Sequence, residues 1–474
     1  MGACLPPGSW LGTSMIVTFA LLSAPLYAQD ELVILSPHWE GIRQEFERAF
    51  TAKHKADTGR DVDIRWLDVG GTSDILRFIR SEFSNKSDGI GVDIFFGGGT
   101  DPYVELKKHG FLQSCDVNPR ILNRIAPSIG GVPLYDTDGT WYAATMAGFG
   151  IIYNKLVLKK LGLAAPQTWA DLADPESMTW VGTADPRKSG SVHMTYEIIL
   201  QAYGWEKGWR VITAIGANAR GFSAGSSQVP IDVATGEVAY GLAIDFYAWA
   251  QVRQAGPDII GYVMPRDLTV VNGDGMAMLR GAPNPAIAQR FIEFVLSEEG
   301  QLLWILKKGE NDGPVDFELG RFTVMPDLYA RLGDRTSVRV NPFEWKSGFV
   351  YDPERASARW SLVNDLFGAI IIDPHRFLVA ARRAALRAAD PAQSQDQIFA
   401  LPITEQEALQ LATDSAWDDP GVRNRHIQSW SANARQAYGE NPREGLLRNL
   451  PAAAALVLLI GMVIYMRRRS PGRS

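Results

Sequence analysis

Cysteine is nearly absent from this chain. There are two in 474 residues, and Cys4 falls in a leading segment that reads as an export signal. Cys115 is then alone, so no disulfide forms within the mature chain. A single cysteine is more simply a small packed residue than a reactive thiol. Runs of positive charge are absent before the last eight residues, and the formal net charge is −6. That balance excludes the electrostatic footprint of a nucleic-acid binder. Catalytic signatures are missing as well: there is no HExxH motif and no P-loop. His193 and Glu197, four apart, read as a surface helix pair. No enzyme and no cofactor are expected.

What is present is ordinary globular composition, 46% apolar and 21% charged, in a chain long enough for two to four domains. Two apolar runs stand outside it. "MIVTFALLSAPLYA" (15–28) ends in small residues and reads as the core of a signal peptide spanning 1–28. "LPAAAALVLLIGMVIYM" (450–466) is followed by three arginines. At ~1.5 Å per residue it covers about 25 Å, and Leu446 and Leu447 extend it if Arg448 snorkels. The expectation is a transmembrane helix at 446–466 with a cytoplasmic tail at 467–474, the arginines marking the inner side. The remainder would then sit on the periplasmic face, anchored in the inner membrane.

Between these runs, apolar strands alternate with amphipathic helices. "ELVILS" (31–36), "VDIRWLDV" and "VDIFF" (92–96) have strand patterning. The segments between them carry helical spacing, as in Ile42, Phe46 and Phe50. That order implies an α/β fold with a mostly parallel sheet. A second β/α unit opens near 140 with the long extended run "TWYAATMAGFGIIYNK", and "GEVAYGLAIDFY" (236–247) reads as a strand in it. "GYVMPRDLTVVNGDGMAML" (261–279) is extended and would return the chain to the first unit. "PQTWADL" and "ITEQEALQLA" carry capping boxes at Thr168/Asp171 and Thr404/Glu407. Beyond 345 the pattern is helical on either side of Pro374.

Four segments in order, "GIIYNKLVLKKLGLAAPQTWADL" (150–172), "DPRKSGS", "GEVAYGLAIDFYA" and "GAPNPAIAQRFIEFVLSEEGQ" (281–301), resemble bacterial periplasmic solute-binding proteins of ABC importers. The similarity runs from about 31 to 340 and points to the subgroup binding ferric ion, thiamine, phosphonates and phosphosugars. It implies a two-lobe periplasmic-binding-protein fold of type 2, with crossover strands and ligand trapped between lobes. The first lobe would take 29–139 plus about 263–305, and the second 140–262 plus about 306–344. A helical extension at 345–445 would depart from the usual form. The implied partners are a small anionic solute and an ABC permease, with the protein a monomer. A ligand-sensing or scaffold role on the same fold is the alternative.

Strand ends face the cleft in such folds, which selects the candidate ligand residues. Gly98 and Gly99 offer backbone N–H groups after a strand, and Thr100 can cap the helix that follows. Ser189, Gly190 and Ser191 lie at a helix N-terminus suited to an anion; Ser226 and Ser227 fall where the family places another anion contact. His38 ends the first strand, and Asp245 and Tyr247 end an apolar one. By resemblance, His38 and Tyr247 match ligands of ferric binders. Phe246 replaces the second tyrosine, however, and Gly98 stands where an acidic ligand belongs. Ferric iron wants several anionic oxygens, so no metal is assigned; His38 and Tyr247 would serve only if the ligand were ferric iron. Trp39, Trp141 and Phe149 read as core aromatics.

Overall fold

Three short strands build the first half of the sheet: β1 Asp30–Leu35, β2 Val62–Leu67 and β3 Ile94–Phe96. Their side chains alternate between two cores. Leu32 and Ile34 pack on one face with Phe46 and Phe50 of helix α1 (Glu40–Thr58). Val33 and Leu35 pack on the other with Ile75, Leu76 and Ile79 of helix α2 (Thr72–Asn85). This is the period-2 pattern of a strand covered on both sides. β1 pairs in parallel with β2 and β3, as helical crossovers require. Helix α3 (Asp101–Lys108) follows β3. The structure is a computed structural model that describes residues 1–2, 29–266, 268–345, 348–413 and 416–439.

After three two-residue strands, β4 Leu112–Gln113, β5 Ser128–Ile129 and β6 Val132–Pro133, the 13-residue β7 Tyr142–Asn154 joins the halves. β8 Val181–Ala184, β9 Ala219–Ser223, β10 Tyr240–Ile244, β11 Ile260–Val263 and β12 Val271–Leu279 complete the set. The order along the sheet is β2-β1-β3-β12-β7-β10-β8-β9. β7 pairs antiparallel with β12 over Tyr142–Gly148 and with β10 over Phe149–Tyr153. It therefore belongs to both halves. β12 returns antiparallel to β3 and carries a register shift between Asp274 and Gly275. Such bulges bend a strand and re-aim a side chain.

Past residue 345 the chain is helical: Pro353–Phe367, a π-turn at Gly368–Ile372, His375–Ala385, Pro391–Ile398, Glu405–Thr413 and Pro420–Ala437. These helices do not form a separate core. Phe367, Ile371, Trp417 and Trp430 bury into the same cluster as Ile198, Trp205 and Trp209 of the second half.

Several expectations need correction. The strand expected over 236–247 stops at Ile244, and Asp245 opens the helix Asp245–Ala255. His193 and Glu197 are not a surface pair: both are fully buried, and Glu197 accepts from Arg359 Nη2 at 2.7 Å, the two side chains 0% and 1% exposed. The transmembrane helix in the expected fold class is also withdrawn. Among the described residues no helix is long and apolar enough to cross a membrane. The run 446–466, the tail and the leading segment 3–28 lie outside the described residues.

Removing one partner of a buried ion pair strands the other charge, at a cost of about 3 kcal/mol. Glu197→Gln is expected to lower the unfolding free energy by that amount, read as a lower urea midpoint with an unchanged m value. A loss under about 1 kcal/mol in the same titration would show that Glu405, which accepts from Arg359 Nη1 at 2.6 Å, suffices alone.

Candidate functional site

The first-half wall is built around one carboxylate. After β1, Ser36 Oγ donates to Phe96 O at 2.8 Å and accepts from His38 N at 3.2 Å. This turn sets the His38 ring edge-on against Phe96, 4.6 Å between centroids. His38 Nε2 lies 3.1 Å from Asp274 Oδ2. The amides of Gly98 and Gly99 both donate to Asp274 Oδ1, at 2.6 and 3.1 Å. Gly97, Gly98 and Gly99 have φ of 106°, 104° and 91°, which glycine alone adopts without strain. A Cβ on Gly97 would also sit 2.8 Å from the His38 ring. Arg321 Nη2 approaches Asp274 Oδ2 to 2.7 Å and is 1% exposed. Its guanidinium stacks 4.4 Å over Phe246 and 5.2 Å over Trp304.

The electrostatics follow. Burial alone would raise the Asp274 pKa, but the Arg321 charge and the His38 hydrogen bond hold it well below the carboxylate range. Burial pushes His38 down, against the pull of Asp274. The Tyr247 phenol is pushed up to about 12 by burial, with Arg321 opposing. It therefore stays protonated at neutral pH.

The second-half wall is a chain of hydroxyls. Ser189 caps the helix Gly190–Tyr203, accepting from Val192 N at 3.4 Å. Ser191 Oγ donates to Ser226 Oγ at 2.7 Å and lies 3.4 Å from Ser189 Oγ. The walls meet where α2 begins. A Cβ on Gly71 would fall 1.9 Å from Lys188 O, and one on Gly190 would fall 2.6 Å from Thr72 Cβ. Glycine at both positions lets the two segments touch. Ser73 Oγ reaches across to Pro186 O at 3.1 Å. Between the walls lies a cavity of about 290 Å³.

Of the residues singled out from sequence, His38, Gly98, Gly99, Ser189, Gly190, Ser191, Ser226, Ser227 and Tyr247 line this cavity. Two do not. Thr100 is buried beneath it, its hydroxyl donating to Asn272 Oδ1 at 2.6 Å rather than capping α3. Asp245 turns inward because it starts a helix, and its Oδ1 accepts from Phe246 N at 2.8 Å. The glycine amides are already bonded to Asp274. Phe149, read as core, is buried and also lines the cavity. Asp274, Arg321, Asp101, Lys188 and Trp360 line it too and were not singled out. Asp274 carried a signal, a carboxylate in the apolar run Val270–Leu279; Arg321 carried none.

The string Gly221-Phe222-Ser223-Ala224-Gly225 has the spacing of a nucleophile elbow. Ser223 Oγ, however, donates to Thr183 O and Gly225 O, at 3.4 and 2.9 Å. No histidine partners it among the described residues, so it lacks the base that would activate it.

A family profile described as bacterial extracellular solute-binding protein matches residues 92–317. The chain is similar to that family over this stretch, a little under half of its length. It spans about half the length of the phosphoglycerate transport regulatory protein PgtC of Salmonella typhimurium, with 26% identity over 210 residues, 44% of this chain and 50% of that one. The iron uptake protein A1 of a Synechocystis species is 27% identical over 262 residues, 53% of this chain and 68% of that one. The fold matches the periplasmic binding protein AfuA of Actinobacillus pleuropneumoniae, solved with exogenous fructose-6-phosphate: TM-score 0.59, 21% identity, 73% of this chain and 99% of that one. It also matches iron-bound HitA of Pseudomonas aeruginosa: TM-score 0.53, 19% identity, 71% and 98% of the two chains. These likenesses give the two-lobe periplasmic-binding-protein fold.

Burial pushes the Asp245 carboxyl up to about 7. The folded state thus holds this proton more tightly than the unfolded chain, whose carboxylates titrate near 4. The stabilisation is complete below about pH 4 and is lost as pH rises through about 7. Its size is on the order of 4 kcal/mol. Urea titrations at pH 5 and pH 8 should show a lower unfolding free energy at pH 8, and Asp245→Asn should flatten that difference. An equal slope in the variant would rule out Asp245 as its source.

Proposed function

We propose that the protein captures a small organic anion, a phosphosugar or phosphonate, between its lobes and delivers it to the permease of an ABC importer on the extracytoplasmic side. The observation that carries this reading is Arg321. A hard cation such as ferric iron needs several anionic oxygens. Here Asp274 already faces a guanidinium, an imidazole and two amides. Tyr247 is a single phenol, and Phe246 offers no oxygen. What remains toward the cavity is a set of donors. Arg321 Nε, buried at its edge, has no hydrogen-bond partner among the described residues. Lys188 stands at the rim with no ion pair among the described residues. Ser189, Ser191 and Ser226 present hydroxyls at a helix N-terminus, where the macrodipole favours an anion.

The ligand residues proposed are therefore Ser189, Gly190, Ser191, Ser226, Ser227 and Lys188 for the anionic group. Arg321 and His38 would form the opposite wall, with Tyr247 of the helix after β10 added to the second-half wall. The names of two similar proteins, one for phosphoglycerate transport and one holding fructose-6-phosphate, support the same ligand class. On opening, the lobes would turn about β7 and β12, the strands shared between them.

Titration calorimetry with fructose 6-phosphate, 3-phosphoglycerate, a simple alkylphosphonate and ferric citrate tests this. At least one phosphate ester or phosphonate is expected to bind. At a hundredfold excess over Kd it should add about 2.7 kcal/mol of stability. Ser191→Ala combined with Ser226→Ala should weaken binding roughly tenfold, the worth of about one good hydrogen bond to a charged group. Binding of ferric citrate alone, with a tyrosinate-to-iron absorption band lost in Tyr247→Phe, would overturn the reading.

A further inference from the structure

The two lobes of this fold are joined through β7 and β12. Here a third connection lies beside the cavity. The helix Pro353–Phe367 and the residues just before it touch both halves. Its faces belong to different cores: Trp360 packs with Ile75, Leu76 and Ile79 of α2, whereas Leu362, Val363 and Leu366 pack with Ile198 and Ile199 of the second half.

Specific bonds repeat this division. Tyr351 Oη donates to Asp101 Oδ2 of the first half at 2.5 Å, and lies 3.2 Å from Met194 Sδ of the second. Trp360 Nε1 donates to Ser73 Oγ at 3.2 Å, while its ring lies over His193 with centroids 3.6 Å apart. Asn364 lies 3.5 Å from Ser73 Oγ through Nδ2 and 2.7 Å from His193 Nδ1 through Oδ1. Arg80 Nη1 of α2 donates to Ser361 Oγ at 3.0 Å. Ser73 is the hub, since its own proton goes to Pro186 O across the junction.

Trp360 also lines the cavity, as does Asp101. Asp101 Oδ1 is buried with no hydrogen-bond partner among the described residues. Burial raises this carboxyl well above the usual range, the Tyr351 hydroxyl opposing. Next to the anion-binding donors this wall offers an aromatic ring and a carboxyl. Such groups stack on and hydrogen-bond the uncharged part of an organic ligand.

We propose that the extension helix Pro353–Phe367 is a third wall of the ligand cavity and a latch on the closed form, so that ligand enters or leaves only when this helix releases one lobe. The proposal rests on the cleft being the ligand site. The latch is set by Tyr351, Trp360 and Asn364 on the first-half and second-half groups named above. Separating the lobes as rigid bodies breaks these bonds and uncovers Trp360.

Hydrogen exchange of the ligand-free full chain, read by mass spectrometry, tests the latch without any ligand. Asn364→Ala and Tyr351→Phe are compared with the natural protein. Exchange at the junction segments 71–74 and 186–190 is expected to rise tenfold or more in Asn364→Ala and several-fold in Tyr351→Phe. Strands β1 and β8 should keep their protection. Equal protection at the junction in both variants overturns the latch. If Asn364→Ala also loses protection in β1 or β8, the milder Tyr351→Phe decides by the same criterion.

A second arm measures association rates for fructose 6-phosphate and inorganic phosphate by stopped flow. Both variants are expected to bind fructose 6-phosphate at least threefold faster. Trp360→Phe, which keeps a ring, should lose less affinity for it than Trp360→Ala. Unchanged rates together with unchanged junction exchange overturn the proposal while leaving the anion reading intact. Faster junction exchange with neither anion bound upholds the latch and counts against those anions as ligands.

Discussion

The cavity depends on keeping Asp274 ionised out of water. A buried carboxylate is tolerated only when charges and donors compensate its lost hydration. Here two glycine amides, the His38 ring and the Arg321 guanidinium do so. Each compensating group fixes a piece of backbone. The amides lock the loop after β3, His38 locks the end of β1, and Arg321 brings in a segment some 280 residues after His38 in the chain. The bulge in β12 falls directly after Asp274, where such an irregularity bends a strand and re-aims a side chain.

That arrangement also decides what the cavity is able to attract. With Asp274 neutralised internally, the first-half wall offers donors rather than anionic oxygens. The second-half wall adds a capped helix N-terminus and linked serine hydroxyls. An anion entering such a site replaces its hydration shell with preoriented dipoles. Two glycines, Gly71 and Gly190, let the walls meet with no side chain between them.

Much of the fold is legible from sequence because hydrophobic periodicity is local. The alternation in "ELVILS" and the i, i+4, i+8 spacing of Ile42, Phe46 and Phe50 map directly onto β1 and α1. The strand-end rule found nine of the cavity-lining residues. It failed at Asp245, where a strand ended earlier than its apolar run suggested and the carboxylate turned inward. It failed at Thr100 for a different reason, a competing acceptor on Asn272. His193 and Glu197 looked like a surface pair because nothing near them in sequence announces Arg359, 162 residues on from Glu197.

The sequence by itself determined the α/β order, the glycine-rich and serine-rich strand ends, and the shortage of oxygen ligands at Phe246 and Gly98. These are properties of neighbouring residues, set by spacing and side-chain chemistry. Only the tertiary structure decided that Arg321 would sit on Asp274 and that the extension would bury its aromatics in the second half while lending Trp360 to the cavity. Those contacts join residues far apart in the chain. Their partners are chosen by packing and by the need to compensate buried charge, and neither leaves a local mark in the sequence.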